Sequence, residues 1–292
     1  MTKNHQIFHK LKLLIKENNK FKSSHWNMHF QNIDINNISK NNHYGSFEKK
    51  SFLKSIFNKI FVFLIFEKKI FFSNVYLKYK ILFNKMNRII DFDAIRHIFT
   101  FDLLQQNLKN KRIKNICIIG DGRINALIGA KYIFPNSRIF SVNLPEVLID
   151  DYLILNKYRI INNKNIQLIN KINDKIQKKK KLIFITPSKK NFLLNKKIDL
   201  FINIASFQEM PYSEIKKYFK IIKQNSCYLY CANRDYKKLY GGEIIRFNKY
   251  PFGSGNKIIE EDCKWHKKFY STKPFFIHRY DGNIRHCLIK YN

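Results

Sequence analysis

The stretch ICIIGDGRINAL contains the first residues whose types and spacing suit ligand binding. Gly120, Asp121 and Gly122 stand between a short apolar run and a segment with helical spacing. Glycine permits the sharp turn from strand to helix and the close approach of a ligand, and the helix then offers unpaired N–H donors. The pattern of a nucleotide-binding loop is incomplete, because Ile118 stands where an acid is usual and Ile124 stands where a third glycine is usual. Alone, the stretch fits a cofactor loop and a structural turn equally well.

The next apolar run ends at Asn143 and Leu144, about 20 residues beyond the glycines, where a nucleotide-binding fold supplies a polar group to a ribose. An Asn side chain can donate to and accept from a ribose diol, though more weakly than a carboxylate. The alternative role for Asn143 is to cap the helix that Pro145 begins. The two roles are compatible, so Asn143 and Leu144 are predicted to contact a cofactor.

A third polar group follows the run DLFINIA. Asn203 lies within that run, and Ser206, Gln208 and Glu209 follow it. Asn203 and Ser206 are predicted to bind cofactor, Gln208 to bind substrate, and Glu209 to serve as a catalytic base. The alternative is a capping and turn-forming cluster ahead of the helix that contains Ile215.

A fourth group follows the run CYLYCA. Asn233 and Arg234 come directly after it, and Tyr250 and Trp265 add aromatic faces farther along. Aromatic faces together with hydrogen-bonding side chains suit a sugar, so these four residues are predicted to bind substrate. His266 is a second candidate general base because the pKa of an imidazole lies near neutrality, although a lone His is more often structural.

The elements that must position these groups follow from hydrophobic periodicity. Apolar residues from Phe52 to Leu64 recur at helical spacing and predict a helical region over 1–108. Five strands alternating with helices then predict an α/β, Rossmann-like, doubly wound and mostly parallel sheet over 109–292. Two β-rich runs around Asp281-Gly282 predict a terminal hairpin and an antiparallel closing strand. The aromatic-rich segment 234–272 is predicted to form a lid.

Composition limits the classes of partner. The net charge of +34 suggests nucleic acid or an anionic membrane, but 45 of the 55 basic residues are Lys, and A/T-rich codons explain that bias more simply than nucleic-acid binding does. Peripheral membrane contact stays possible. Five Cys residues without a CxxC pair or ligand cluster predict a reducing cytoplasm and no metal site. The longest apolar run, IFVFLIF, is too short to span a bilayer, and the amino terminus lacks the features of a signal peptide.

Four stretches together resemble the family of sugar O-methyltransferases encoded with bacterial surface-polysaccharide genes. They are VNLPEVLIDDYLIL, INIASFQEMPYSEIKKYF, YCANRDYKKLYGGEIIRFNKYPF and CKWHKKFY, and the similarity covers roughly residues 90–292. The resemblance implies a class I methyltransferase that uses S-adenosylmethionine to methylate a sugar hydroxyl of a glycan or of a nucleotide-linked or lipid-linked precursor. The chain departs from the family in its glycine-poorer loop, in Asn143 where an Asp is usual, and in Lys264 where a Pro is common.

Two other functions remain open from sequence. The atypical loop motivates a non-catalytic relative that binds a sugar or a partner through the same cleft. The charge motivates an RNA methyltransferase, for which the sequence offers no RNA-recognition motif.

Overall fold

The computed structural model describes residues 3–31, 52–270, 277–280 and 282–292. The α-helices in these ranges are α1 (Lys3–Asn18), α2 (Ser24–Phe30), α3 (Phe52–Ile65), α4 (Asn74–Lys85), α5 (Phe92–Leu108), α6 (Asn125–Ile133), α7 (Pro145–Lys157) and α8 (Tyr212–Lys223). The strands are β1 (Asn115–Ile119), β2 (Arg138–Val142), β3 (Ile166–Leu168), β4 (Leu182–Ile185), β5 (Leu200–Ile204), β6 (Tyr228–Arg234), β7 (Tyr236–Lys238), β8 (Ile244–Arg246), β9 (Asn256–Asp262), β10 (Lys268–Tyr270), β11 (Ile277–Arg279) and β12 (Ile284–Lys290).

Eight of the strands form one central sheet in the order β3-β4-β2-β1-β5-β6-β12-β9. The first six run parallel to one another, and β12 runs antiparallel to both β6 and β9. The strand order reverses beside β1, which places the carboxyl ends of β1, β2, β4 and β5 around a shared crevice. The predicted fold class, a doubly wound and mostly parallel sheet with an antiparallel strand, is confirmed.

Both faces of the sheet are covered, which explains why the strands read as unbroken apolar runs. Within β1, Ile116 and Ile118 pack into the core shared with α1 and α3 to α7, whereas Cys117 and Ile119 pack into the opposite core with α8. Residues at alternate positions therefore point to opposite faces, and β1 has no polar position between Ile116 and Ile119.

The predicted terminal hairpin is not formed. β11 pairs with β10 in a small separate sheet, while β12 lies between β6 and β9 and has no free edge to offer β11. Asp281 lies outside the described residues. The predicted lid segment 234–272, which extends two residues beyond the described range, contains β9, so part of it belongs to the central sheet.

The helices within the predicted region 1–108 do not form an independent unit. Leu11 of α1, Val62 of α3 and Tyr79 of α4 are buried in the same core as the sheet. The apolar face predicted over Phe52–Leu64 does form a helix, but Leu53, Phe57 and other apolar side chains of α3 are more than half exposed to solvent. Burial in the core therefore accounts for the apolar residues on only one side of this helix.

Candidate active site

A cavity of about 240 Å³ lies at the carboxyl ends of β1, β2, β4 and β5. Its wall contains residues from the loops that follow these strands together with residues of the helical first third. Its lining includes Phe21, Trp26, Asp93, Arg96, His97, Gly120, Gly122, Asn143, Leu144, Ser206, Glu209 and His266. The position is the one where doubly wound sheets bind ligands.

The two glycines of the β1–α6 loop differ in their packing. Gly120 has a φ of +72°, and a Cβ at this position would lie 1.8 Å from Ser206 Oγ, so no side chain fits. Gly122 has an ordinary φ, and a Cβ there would meet no atom within 4 Å. The first glycine therefore brings the β1 and β5 loops together, whereas the second leaves open space beside the cavity.

Arg123 and Ile124 both adopt left-handed φ values, 62° and 57°. A β-branched residue seldom occupies this region, and the conformation costs roughly 1–2 kcal/mol per residue. Ile124 is fully buried in the core, which offsets that cost. The loop thus keeps a glycine-type backbone at the position where the usual third glycine is missing.

Asp121 anchors the loop to helix α6. Its carboxylate accepts hydrogen bonds from the backbone N–H groups of Ala126 at 3.0 Å and Leu127 at 2.7 Å, and its side chain is buried. Burial raises the pKa of Asp121. Asp121 does not line the cavity, so the structure does not show the predicted direct contact with a cofactor. Asp121 can influence a cofactor only by fixing the conformation of the loop.

Asn143 lines the cavity and also supports the glycine loop. Its Nδ2 donates to the carbonyl oxygen of Asp121 at 2.7 Å, and its Oδ1 accepts from the backbone N–H of Leu144 at 3.0 Å. An amide side chain has two N–H groups and two lone pairs, so one donor and one acceptor site are left for a ligand. Leu144, the residue before Pro145, lines the cavity as predicted for the β2 end.

Three predicted ligand-binding amides instead bond to one another behind the cavity wall. Asn233 Nδ2 donates to Asn203 Oδ1 at 2.8 Å, and Asn203 Nδ2 donates to the carbonyl of Ile119 at 2.9 Å. Gln208 accepts from the backbone N–H of Arg234 at 2.7 Å, and its own backbone N–H donates to Asn233 Oδ1. All three side chains are buried, so their observed role is to fix the ends of β1, β5 and β6 relative to one another.

Glu209 is the carboxylate placed best for acid–base chemistry. It lines the cavity with 21% of its side chain exposed. Burial raises the pKa of Glu209 to about 7, against the opposing charges of Lys237 and Arg234. His25 Nε2 lies 3.7 Å from its Oε1, but burial lowers the pKa of His25 to about 4, so this imidazole is neutral at physiological pH. Glu209 is therefore able to exchange a proton near neutrality.

His266 also lines the cavity, although its environment differs. Burial, with a smaller contribution from the Arg96 charge, lowers the pKa of His266 well below its usual value. Its Nδ1 lies 2.9 Å from Cys263 Sγ, and burial raises the pKa of that thiol. The pair is thus a neutral imidazole beside a neutral thiol, which makes His266 the weaker base of the two candidates.

Residues before position 30 close one side of the cavity, and the sequence patterns did not indicate them. Phe21 and Trp26 lie in the cavity wall. Ser23 Oγ donates to the backbone carbonyl of Glu209 at 2.6 Å, and Lys22 Nζ lies 2.5 Å from a carboxylate oxygen of buried Glu146. We call residues 21–26 the amino-terminal cap.

The start of helix α5 contributes a further polar group that sequence analysis missed. Asp93, Arg96 and His97 line the cavity, and Arg96 donates to Asp93 at 2.9 Å. The Arg96 guanidinium also stacks 4.5 Å from the Tyr280 ring, which Arg234 approaches from 5.0 Å. The one available signal was the spacing of these three polar residues, i, i+3 and i+4, which puts them on one side of the first turns of α5.

Two predicted substrate-binding aromatics lie in packed clusters away from the cavity wall. Tyr250 is 4% exposed and packs against Phe207 and Phe219 on the α8 side of the sheet. Trp265 stacks on Phe99 with ring centroids 5.4 Å apart. Their observed contacts are those of core residues.

Two further observations concern the described residues only. No group of three or more His, Cys, Asp or Glu side chains in these ranges could hold a metal ion. None of the helices described above is long and apolar enough to cross a bilayer.

The antiparallel strand β12 lies between β6 and β9 in the sheet. This strand order, together with the cavity at the strand carboxyl ends, defines the class I methyltransferase fold. No family model and no curated protein matches the chain. Solved structures with partial similarity include N-methyltransferase NodS from Bradyrhizobium japonicum WM9 in complex with S-adenosyl-L-homocysteine, at 10% identity and a TM-score of 0.43, covering 73% of this chain and 98% of that one. MtNAS in complex with MTA and tNA aligns at 12% identity and a TM-score of 0.39, covering 99% and 97%. Precorrin-6y C5,15-methyltransferase from Geobacter metallireducens GS-15 aligns at 11% identity and a TM-score of 0.39, covering 66% and 87%. At these scores the fold assignment rests on the strand order itself.

Proposed function

We propose that the protein is an S-adenosylmethionine-dependent O-methyltransferase that acts on a sugar hydroxyl. The observation that carries the proposal is the combination of a glycine-floored cavity at the strand carboxyl ends with a carboxyl group at its wall whose pKa is about 7. The choice of a sugar as acceptor is supported by the sequence resemblance of residues 90–292.

The cavity residues fit the proposed cofactor. Gly122 leaves room for a ligand beside the backbone, and Asn143 keeps one donor and one acceptor site. Leu144 and Phe21 add apolar surface that suits an adenine ring. When bound, S-adenosylmethionine supplies an electrophilic methyl group.

The chain's own part in the reaction is to position the acceptor and to remove its proton. A carboxylate with a pKa near 7 is half ionised at neutral pH and is a stronger base than an ordinary glutamate, so Glu209 takes the proton that the acceptor hydroxyl loses. The amino-terminal cap and the start of α5 narrow the access of water to this carboxylate. Neutral His266 holds the acceptor by a hydrogen bond.

Calorimetric titration with S-adenosylmethionine and S-adenosylhomocysteine tests the first half of the proposal. Saturable binding is expected, and no heat at millimolar ligand would contradict the proposal and favour the non-catalytic relative. Binding of RNA that weakens steeply with salt, together with methyl transfer to RNA, would instead favour the RNA methyltransferase.

Transfer of a radiolabelled methyl group to a panel of nucleotide sugars and free glycans tests the second half. The rate is expected to rise with pH, to reach half of its plateau at about pH 7 and to level off roughly one pH unit higher, because only the ionised carboxylate accepts a proton. Glu209→Gln should lower turnover on the order of 10²- to 10⁴-fold with cofactor binding retained. Glu260→Gln, which changes a carboxylate of β9 that accepts from Lys257 and does not line the cavity, is the matched control and should keep full activity.

A further inference from the structure

The outer surface of helices α3 and α4 has a composition that the proposed function does not explain. Leu53, Phe57, Ile60 and Leu64 are spaced i, i+4, i+7 and i+11 on α3, and each is 49–66% exposed. Phe72, before α4, and Leu77 and Ile81 on α4 are also exposed, at 84%, 47% and 72%. So many exposed apolar side chains on two helices that line one groove are unusual on a protein surface and mark an interaction site.

The charges around these apolar side chains are almost all positive. Residues 52–85 contain seven Lys and one Glu, and that Glu67 lies 2.7 Å from Lys69 Nζ. Between α3 and α4 runs a groove of about 760 Å³ whose lining includes Lys59, Lys80 and Arg88. Lys59 and Lys80 are exposed, so their charges face solvent beside this groove.

The arrangement suits a flat anionic partner. Helix α3 has 14 residues, about 21 Å at 1.5 Å per residue, which is too short to span a bilayer and long enough to lie along its surface. Helices that lie in the membrane interface place apolar side chains among the acyl chains and lysines near the phosphates. A second copy of the chain is a poor occupant, because two surfaces of the same positive sign would meet.

We propose that this surface, residues 53–64 of α3 with Phe72, Leu77, Ile81, Lys59 and Lys80, binds the surface of an anionic phospholipid bilayer. The binding is interfacial and reversible, and the groove lysines give the preference for anionic headgroups. The proposal does not depend on methyl transfer, since none of these residues lines the cavity.

Flotation of the full-length chain with vesicles tests the proposal. Vesicles of phosphatidylcholine with about one third phosphatidylserine should carry the protein to the top of the gradient, and vesicles of phosphatidylcholine alone should not. No flotation with the anionic vesicles, or equal flotation with both, would overturn the proposal.

Two pairs of variants locate the surface. Phe57→Ser with Ile60→Ser should lower the partition coefficient at least tenfold, whereas Ile172→Ser with Leu194→Ser, a matched change at apolar residues exposed elsewhere, should leave it unchanged. Lys59→Glu with Lys80→Glu should also lower it at least tenfold, since each lysine near a membrane contributes about 1 kcal/mol.

The charge control is Lys216→Glu with Lys220→Glu on α8, which packs on the opposite face of the sheet. It changes the net charge equally and should keep binding. Equal loss in both charge variants would show that only total charge matters and would overturn the assignment. If light scattering shows a concentration-dependent dimer that Phe57→Ser with Ile60→Ser abolishes, the partner of this surface is a second copy of the chain, and the membrane proposal is overturned. Unchanged calorimetric binding of S-adenosylmethionine in every variant separates this proposal from the proposed function.

Discussion

Substituting the two glycines of the β1–α6 loop one at a time separates folding from ligand binding. Gly120→Ala places a methyl group where φ is +72° and where Ser206 Oγ lies 1.8 Å away. The left-handed backbone costs roughly 1–2 kcal/mol for an L-residue. Displacing Ser206 adds about 1–3 kcal/mol, the usual range for overpacking.

The expected loss of about 2–5 kcal/mol lowers the Tm by on the order of 10 °C, because 1 kcal/mol shifts the Tm by about 2–4 °C in chains of this size. Gly122→Ala has neither problem, since its φ is ordinary and the new Cβ meets no atom within 4 Å. Its Tm should stay within a few degrees of the wild type. Calorimetry should show S-adenosylmethionine affinity lowered about tenfold, because one methyl group too many in a fitted site costs about 1–3 kcal/mol.

Differential scanning fluorimetry and calorimetry on the two variants form one experiment. A Gly120→Ala variant as stable as the wild type would refute the close packing of the β1 and β5 loops. A Gly122→Ala variant that binds S-adenosylmethionine at wild-type affinity would show that the ligand does not pass this glycine.

Three further substitutions test separate contacts. Asn143→Asp should not tighten cofactor binding and should lower the Tm, because a carboxylate cannot donate to the Asp121 carbonyl now bonded at 2.7 Å; tighter binding in calorimetry would contradict this. Glu209→Gln should be more stable than the wild type at pH 8, by up to about 3 kcal/mol, and about equally stable at pH 4. The folded carboxyl has a pKa of about 7 against 4.5 in the unfolded chain, so wild-type stability falls as the pH rises through that window. The same difference in unfolding free energy between variant and wild type at both pH values, measured by urea unfolding, would refute it. Gly129→Ala should destabilise the chain by about 1–3 kcal/mol, because its Cβ would lie 2.1 Å from the Phe101 ring, and an unchanged Tm would disprove that contact.

The strands that form the walls of the site were predictable because each combines a short apolar run with a flanking turn signal. β1, β5 and β6 overlap the apolar runs ICIIG, DLFINIA and CYLYCA, and β2 overlaps the run that ends at Asn143. β3 and β9 were missed because they are edge strands, short in one case and rich in charge in the other, and edge strands lack the two-sided burial that leaves an apolar run.

The residues of the candidate site at the strand carboxyl ends were predictable from sequence, and those of the amino-terminal cap were not. The carboxyl ends of parallel strands must meet, so Gly122, Asn143 and Glu209 could be grouped from sequence. Whether a polar side chain there faces the crevice or a neighbouring loop depends on its side-chain rotamer, which the sequence does not specify. For that reason Asn203, Gln208 and Asn233 were predicted to bind ligands although they bond to one another.

The amino-terminal cap could not be predicted because its contacts are remote in sequence. Phe21 and Trp26 belong to no apolar periodic stretch long enough to indicate a buried face. Their cavity neighbours lie more than 60 residues away, and no local pattern encodes such a pairing.

The hydrogen bond from Ser23 to Glu209 closes a chain loop of 186 residues. Closing so long a loop costs conformational entropy, so we expect this wall of the cavity to form after the sheet during folding. On the ribosome, the cap is synthesised before β5 and the loop beyond it, so their contacts form only after that loop has been made. The cavity is therefore expected to form late in folding, and ligand binding can serve as a signal that the amino-terminal cap has packed against the loop that follows β5.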